Sequence, residues 1–234
     1  MPADTDAHAG FRIGKPLVVA IDGPSGSGKS SVSREVARRL RAAYLDTGAM
    51  YRAVTLHCMT TGVDLTDSPA VESAARSIDL EISTSPDQES VLVAGIDVTA
   101  AIREPGVSSA VSAVATTMGA RAELIRRQRA LIAGASHRIV AEGRDITTVV
   151  APDAQVRILL TATEEARLRR RGDQLGGTQS EAQLKRQVTE RDAKDSTVVD
   201  FQQAADGVVT LDSSELDLEQ TVTAVLGIVL AVAN

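Results

Sequence analysis

Tryptophan is missing from these 234 residues, and the aromatic complement stops at two tyrosines and two phenylalanines. A core built from this chain has to be aliphatic, and a broad base-stacking platform for nucleic acid is not expected. Cysteine is nearly missing too. Cys58 stands alone, so no intrachain disulfide can form, and its neighbours "LHCMT" mark it as a small buried hydrophobe suited to a reducing compartment. There is no excess of positive charge: 25 basic residues face 31 acidic ones, a formal charge of −6, which argues against nucleic acid or an anionic membrane as the main partner. Nor is there a long hydrophobic run. The C-terminal "TAVLGIVLAVAN" is too short to span a bilayer and reads as a docked final helix. The opening "MPADTDAHAG" is polar and acidic, unlike a signal or transit sequence, so residues 1–14 are expected to form a disordered tail. Internal repeats and low-complexity tracts are likewise lacking. What remains is 43% apolar residues, enough for one compact cytoplasmic unit carrying a small insert.

Against this plain background one stretch stands out, "AIDGPSGSGKSS" from Ala20 to Ser31. The apolar, β-branched run "LVVAI" precedes it, and Val32, Val36 and Leu40 follow at helical spacing. Gly23, Gly28, Lys29 and Ser30 therefore fit G-x-x-x-x-G-K-[ST] on a strand-to-helix turn, the context that identifies a P-loop. Backbone N–H groups from Gly23, Pro24, Ser25, Gly26, Ser27, Gly28, Lys29, Ser30 and Ser31, proline excepted, are expected to wrap the phosphates of ATP. The following helix N-terminus adds its positive dipole end. Lys29 reaches the terminal phosphates as a point charge, and the Ser30 hydroxyl completes the coordination of Mg²⁺. Asp22, just before the loop, has two readings: it orients Mg²⁺-bound water, or it caps the turn.

The rest of the chain alternates strands and helices. "AYLD" (Ala43 to Asp46), "RIVAE" (Arg138 to Glu142), "QVRILLT" (Gln155 to Thr161) and "GVVTLD" (Gly207 to Asp212) read as strands. Helical stretches include one from near Gly48 toward Thr61, "EAQLKRQVTERD", and the segment from Glu215 onward. This predicts an α/β fold, a three-layer P-loop sandwich around a parallel, doubly wound sheet. Between 64 and 102, "IDLEIS" and "ESVLVAGIDVT" look like hairpin strands joined by "TSPDQ", an inserted lobe. The expected organisation is a core over 15–63, 103–166 and 190–234, the insert at 64–102, and a lid at 167–189.

Charge distribution narrows the partner. Between Arg121 and Arg171 lie eleven of the basic residues against six acidic ones, so a small polyanion is the expected ligand. In "LDTGAMYR", Asp46 and Thr47 sit at a helix start, where Thr47 is expected to cap free N–H groups. Arg52 lies about one turn further in, placed to grip a second phosphate. No histidine stands out as catalytic: His8 is in the tail, His57 in a helix and His137 before a strand. A guanine-reading N-K-x-D is not found, and "RIVAEGRD" offers only Glu142 as a carboxylate at a strand end, without room for the effector lobe of a remodelling ATPase.

The ordered set "IDGPSGSGKSS", "LDTGAMYR", "LIRRQR", "AEGRDITTVV" and "TERDAKDST" resembles bacterial cytidylate kinase from about Leu17 to Asp212. The resemblance implies a cytosolic monomer that passes the γ-phosphoryl of ATP to CMP or dCMP, with no partners beyond these small-molecule substrates. It places Arg52 and Arg144 on the acceptor phosphate, a task suited to planar bidentate donors. It places Ser112, Arg121 and Asp145 at the cytosine ring, Asp195 at the ribose with Arg191 beside it, and Asp46, Thr47 and Tyr51 in the same acceptor pocket. Acidic acceptors and cationic donors suit cytosine's edge and reject that of uracil. On the residues alone, Arg121 reads more readily as a solvated helix residue, Ser112 as a helix cap and "ERDAKD" as a charged surface face. Arg167, Arg170 and Arg171 share one helix face, with Arg169 pointing elsewhere. The resemblance puts that face on a lid closing over ATP, where these arginines join Lys29, Arg52 and Arg144 in stabilising the transferring group; a salt-bridged surface helix with Glu164 and Glu165 is the alternative. The chain departs from the family at Val198, where an arginine is usual, and at Thr147, where glycine is usual. The first predicts weaker acceptor binding or a substitute from Lys194, the second a stiffer turn.

Overall fold

A computed structural model describes residues 16–174 and 192–233. The tail at 1–14, the later part of the expected lid, most of "EAQLKRQVTERD" and Arg191 lie outside the described residues. The main sheet holds five strands: β1 (Leu17–Asp22), β2 (Ala43–Asp46), β6 (Arg138–Gly143), β7 (Val156–Thr161) and β8 (Val209–Asp212). Their order is β2-β6-β1-β7-β8, and every neighbouring pair is parallel. The P-loop strand β1 is thus central, with Val19 between Val140 of β6 and Val156 of β7.

Side chains of successive strand residues point to opposite faces, and two clusters show where they go. Ala20, Leu45, Ile139 and Ala141 enter a core beneath α2 (Thr47–Thr61), α3 (Ser68–Ser77), α4 (Pro105–Thr116) and α5 (Met118–Gly134). Val19, Ile21, Tyr44, Val140, Ile158 and Leu160 enter the other, beneath α1 (Lys29–Leu40) and α7 (Leu218–Ala233). Apolar residues on both faces of each strand are what a helix-covered parallel sheet requires. Burying each such aliphatic side chain contributes roughly 1.5–3 kcal/mol. Val222, Val225 and Val229 of α7 recur at helical spacing and are fully buried with Val32 and Val36, which docks the apolar C-terminus as expected. Cys58 is buried and free. Among the described residues, no helix is long and apolar enough to cross a membrane.

The interval after α2 carries a second, antiparallel sheet of β3 (Leu80–Ile82), β4 (Val91–Val93) and β5 (Ile96–Asp97). The hairpin pattern was legible; helix α3 beside it was not, because its apolar stripe is short and made mostly of alanine (Val71, Ala74, Ala75). The β3–β4 loop docks on the main body. Thr84 O accepts from Tyr44 N of β2 at 2.8 Å, Pro86 O from Arg38 Nη2 at 3.0 Å, and Glu89 pairs with Arg34 at 2.8 Å. After β6 the chain makes one π-type turn, Ile146–Val150, and after β7 it enters α6 (Glu164–Gln174).

Candidate active site

At the carboxyl end of β1 the chain turns through the P-loop into α1. Two glycines are there for steric reasons: a Cβ on Gly23 would stand 2.3 Å from Leu160 O, and Gly28 caps α1 at φ +90°. Lys29 Nζ donates to Pro24 O at 3.2 Å, folding its ammonium back across the loop. Ser30 Oγ donates to Glu142 Oε1 at 2.6 Å. That leaves the hydroxyl's lone pairs for a cation, so the donor set fits a Mg²⁺ ion held otherwise by phosphate and water. Glu142 is 2% exposed, and burial, then the nearby charge of Asp46, push its pKa up to about 7.

Asp22 does not line the cavity. Its carboxylate is buried and accepts from Ile146 N and Thr147 N, both at 2.8 Å, and from Thr147 Oγ1 at 2.6 Å. Burial pushes its pKa up to about 6, opposed by those three donors. The geometry therefore matches a capping carboxylate, though the turn it holds is the one after β6. Thr147, unusual for the resemblance, supplies one of the donors.

The α6 arginines reach the P-loop. Arg167 Nη1 donates to Ser25 O at 3.1 Å and pairs with Asp192. Arg170 Nη1 donates to Ser27 O at 3.1 Å and to Ser213 Oγ at 3.0 Å. Arg170 and Arg171 of the expected face line the cavity together with Arg169, while Arg167 contacts the P-loop beside it. Three consecutive residues cannot share one helical stripe, so the cavity meets more than one side of α6 over residues 169–171. Burial, followed by the charges of Arg52 and Arg103, disfavours the protonated form of Arg171. Cations are crowded here, as a polyanion site requires.

The acceptor side is assembled from distant segments. Helix α2 begins at Thr47, so the N-cap is Asp46, whose carboxylate accepts from Ala49 N at 2.9 Å. This corrects the expected cap: Thr47 Oγ1 instead donates to Glu142 O at 2.8 Å, tying α2 to β6. Asp46 also pairs with Arg52 at 2.8 Å and with Arg103 at 3.8 Å. Burial opposes its ionisation, yet these two charges hold its pKa below the ordinary carboxylate value. On the other wall Arg121 of α5 pairs with Asp145, whose pKa burial raises despite that partner. Ser112 of α4 donates to Asp195 Oδ1 at 2.8 Å. Arg144 contacts Asp192 at 2.8 Å and, through Nε, Asp195 at 3.0 Å, while its guanidinium lies 4.4 Å from the ring centroid of Phe201. Tyr51 completes the wall, its hydroxyl pKa raised by burial. Val198 lines the cavity at the position expected to carry arginine; Lys194 is exposed and does not line it.

Donor and acceptor walls enclose one cavity of about 540 Å³, with Gly26, Lys29 and Arg170 at one end and Arg121, Asp145 and Asp195 at the other. Sequence reasoning missed Arg103, Asp192, Glu142 as a working group, and Phe201. For Glu142 a signal existed, since ligands in open α/β sheets bind beyond the carboxyl ends of the strands.

A P-loop and a second anion pocket sharing one cavity at that sheet edge define a P-loop phosphotransferase of the nucleotide kinase class. Residues 19–230 match the family model described as cytidylate kinase, and the chain belongs to that family. The cytidylate kinase of Cutibacterium acnes is 50% identical over 215 residues, spanning 92% of this chain and 96% of that protein. That of Rhodococcus jostii is 49% identical over 217 residues, spanning 91% and 94%. The solved structure of a gluconokinase from Sinorhizobium meliloti 1021 covers 92% of both chains with a TM-score of 0.50 at 15% identity, a likeness of fold alone.

Proposed function

We propose that this chain transfers the γ-phosphoryl group of ATP to CMP or dCMP, giving ADP and CDP or dCDP. The observation that carries the proposal is the single cavity with the P-loop at one end and the Arg52, Arg121, Arg144, Asp145 and Asp195 constellation at the other. Two phosphates held at its junction face each other, which is what in-line transfer needs. Lys29, with Arg170 and Arg171 of the lid, holds the donor phosphates, and Arg167 braces the P-loop. Arg52 and Arg144 hold the acceptor phosphate. Ser30, its hydroxyl oriented by Glu142, would hold a Mg²⁺ ion bound with ATP, and the ion would supply neutralisation of phosphate charge there.

The attacking atom is a phosphate oxygen that is already ionised, so no dedicated general base is required. Arg121 and Asp145 supply donor and acceptor to the base edge, Ser112 orients Asp195, and Asp195 with Arg191 holds the ribose. A site built to accept from an amino group leaves a buried carboxylate unsatisfied when uracil enters, which penalises UMP. The 64–102 lobe serves the acceptor, the 167–189 lid covers ATP, and the chain works as a cytoplasmic monomer.

The test is an ADP-release assay with ATP and Mg²⁺, offering CMP, dCMP, UMP, AMP and GMP in parallel beside a Lys29→Ala control. Turnover chiefly with CMP and dCMP, abolished in the control, is expected. ATP hydrolysis indifferent to every monophosphate overturns the assignment.

A further inference from the structure

Asp192 belongs to none of the roles above, yet it contacts groups from three separate parts of the site. It is 6% exposed. Its Oδ1 accepts from Ser25 N of the P-loop at 3.1 Å and from Arg144 Nη1 at 2.8 Å, and its Oδ2 accepts from Arg167 Nη1. Ser25 is bracketed, because Arg167 also donates to its carbonyl at 3.1 Å. Arg144 is bracketed as well: Asp195 takes Nε at 3.0 Å, and Phe201, 1% exposed, backs the guanidinium plane. One carboxylate therefore fixes a donor-side backbone amide, a lid-side guanidinium and an acceptor-side guanidinium together. Burial opposes its ionisation, and the charge of Arg144 with the Ser25 and Arg167 donors outweighs it, leaving a lowered pKa and a charged junction.

We propose that Asp192 is a positioning residue that couples the two nucleotide sites: by holding Ser25, Arg144 and Arg167 on one carboxylate, it makes the placement of the acceptor arginine depend on the state of the P-loop and lid. The inference rests on the assignment of the P-loop to ATP and of Arg144 to the acceptor phosphate. Three donors need the lone pairs of two oxygens. An amide at this position offers one acceptor oxygen and turns an NH₂ toward a guanidinium, so Asp192→Asn breaks at least one of the three links. Because coupling is reciprocal, a link between the sites raises CMP affinity when the donor site is filled and ATP affinity when the acceptor site is filled, by the same factor.

The experiment is calorimetric titration of CMP into the protein with and without Mg²⁺ and a non-hydrolysable ATP analogue, followed by the reverse titration. The parent is expected to bind CMP about tenfold tighter with the analogue present, within the usual range for linked sites. In Asp192→Asn that ratio falls toward one, so the KM for CMP at saturating ATP rises by up to about tenfold, and kcat falls on the order of tenfold or more through misalignment of the phosphates. A purely structural role lowers the melting temperature and leaves the ratio alone, which overturns the proposal; so does a parent ratio of one. If Asp192→Asn does not fold, Asp192→Glu keeps the charge but displaces the carboxylate by one methylene, and an unchanged ratio in that variant overturns the proposal equally. Failure of the underlying assignment shows itself separately, as a parent that neither binds nor phosphorylates CMP.

Discussion

The donor and acceptor ends of the cavity are built in opposite ways. The donor end is largely backbone: Ser25 to Ser31 line the cavity along the P-loop turn and the start of α1, and a single motif specifies them. The acceptor end is side chains from α2, α4, α5, the β6 turn and the segment after 192, held to one another by Arg52–Asp46, Arg121–Asp145, Arg144–Asp195 and Ser112–Asp195 contacts. A phosphate chain is repetitive and strongly charged, so oriented amides suffice for it. A nucleobase has an individual edge, and reading it takes donors and acceptors locked in fixed positions.

The contrast is broken most severely at Lys29, the P-loop side chain that acts on the charge of the donor phosphates directly. Lys29→Ala is expected to lower kcat by about 10³-fold or more while CMP affinity and melting temperature stay near the parent's; a concurrent collapse of CMP binding shows that the two ends are not separable. Arg144→Lys tests the acceptor end. An ammonium cannot reproduce the planar contact with Asp192, Asp195 and Phe201, so kcat/KM for CMP is expected to fall about 10²-fold, largely through KM. Steady-state kinetics at saturating ATP decides it.

Asp22 sharpens the comparison because it sits on the donor strand and holds the acceptor-side turn. Its pKa rises from 3.8 to about 6, so the native state retains a proton that the unfolded chain releases between those values. The stability this group contributes is therefore present at low pH and lost as pH rises through about 6, on the order of 3 kcal/mol. Melting temperatures of the parent and Asp22→Asn should draw together in that direction as pH goes from about 4.5 to 7 if the parent is the more stable at the acid end. A pH-independent difference removes the assignment. The smallest effect is expected at Val198: Val198→Arg adds a guanidinium to the acceptor wall and should lower the KM for CMP several-fold, as one exposed charge-assisted contact allows. A KM equal to the parent's shows that the existing arginines already saturate the phosphate.

How much of this was legible follows from the same division. The P-loop, the five parallel strands and the docked C-terminal helix each rest on local pattern, and each was read from residues within a few positions of one another. The Ser30–Glu142 and Asp22–Thr147 hydrogen bonds span more than a hundred residues, and no local pattern encodes them. Thr is a good cap residue, but the cap falls to Asp46 because the helix already starts at Thr47. Arg169 falls outside the stripe that helical periodicity predicts, because periodicity describes one face and the cavity meets α6 on more than one side.

The tether between Thr84 and Tyr44 has a further consequence. Strand β2 is one of the two outer strands of the main sheet, and an uncovered outer strand offers its unpaired amides to any other extended chain. The carbonyl of Thr84 occupies one of those amides, with Pro86 and Glu89 anchored to α1 alongside. The small antiparallel lobe is thus also a shield: shortening its loop would leave the fold's flank open to self-association, and the damage would appear first as lost solubility.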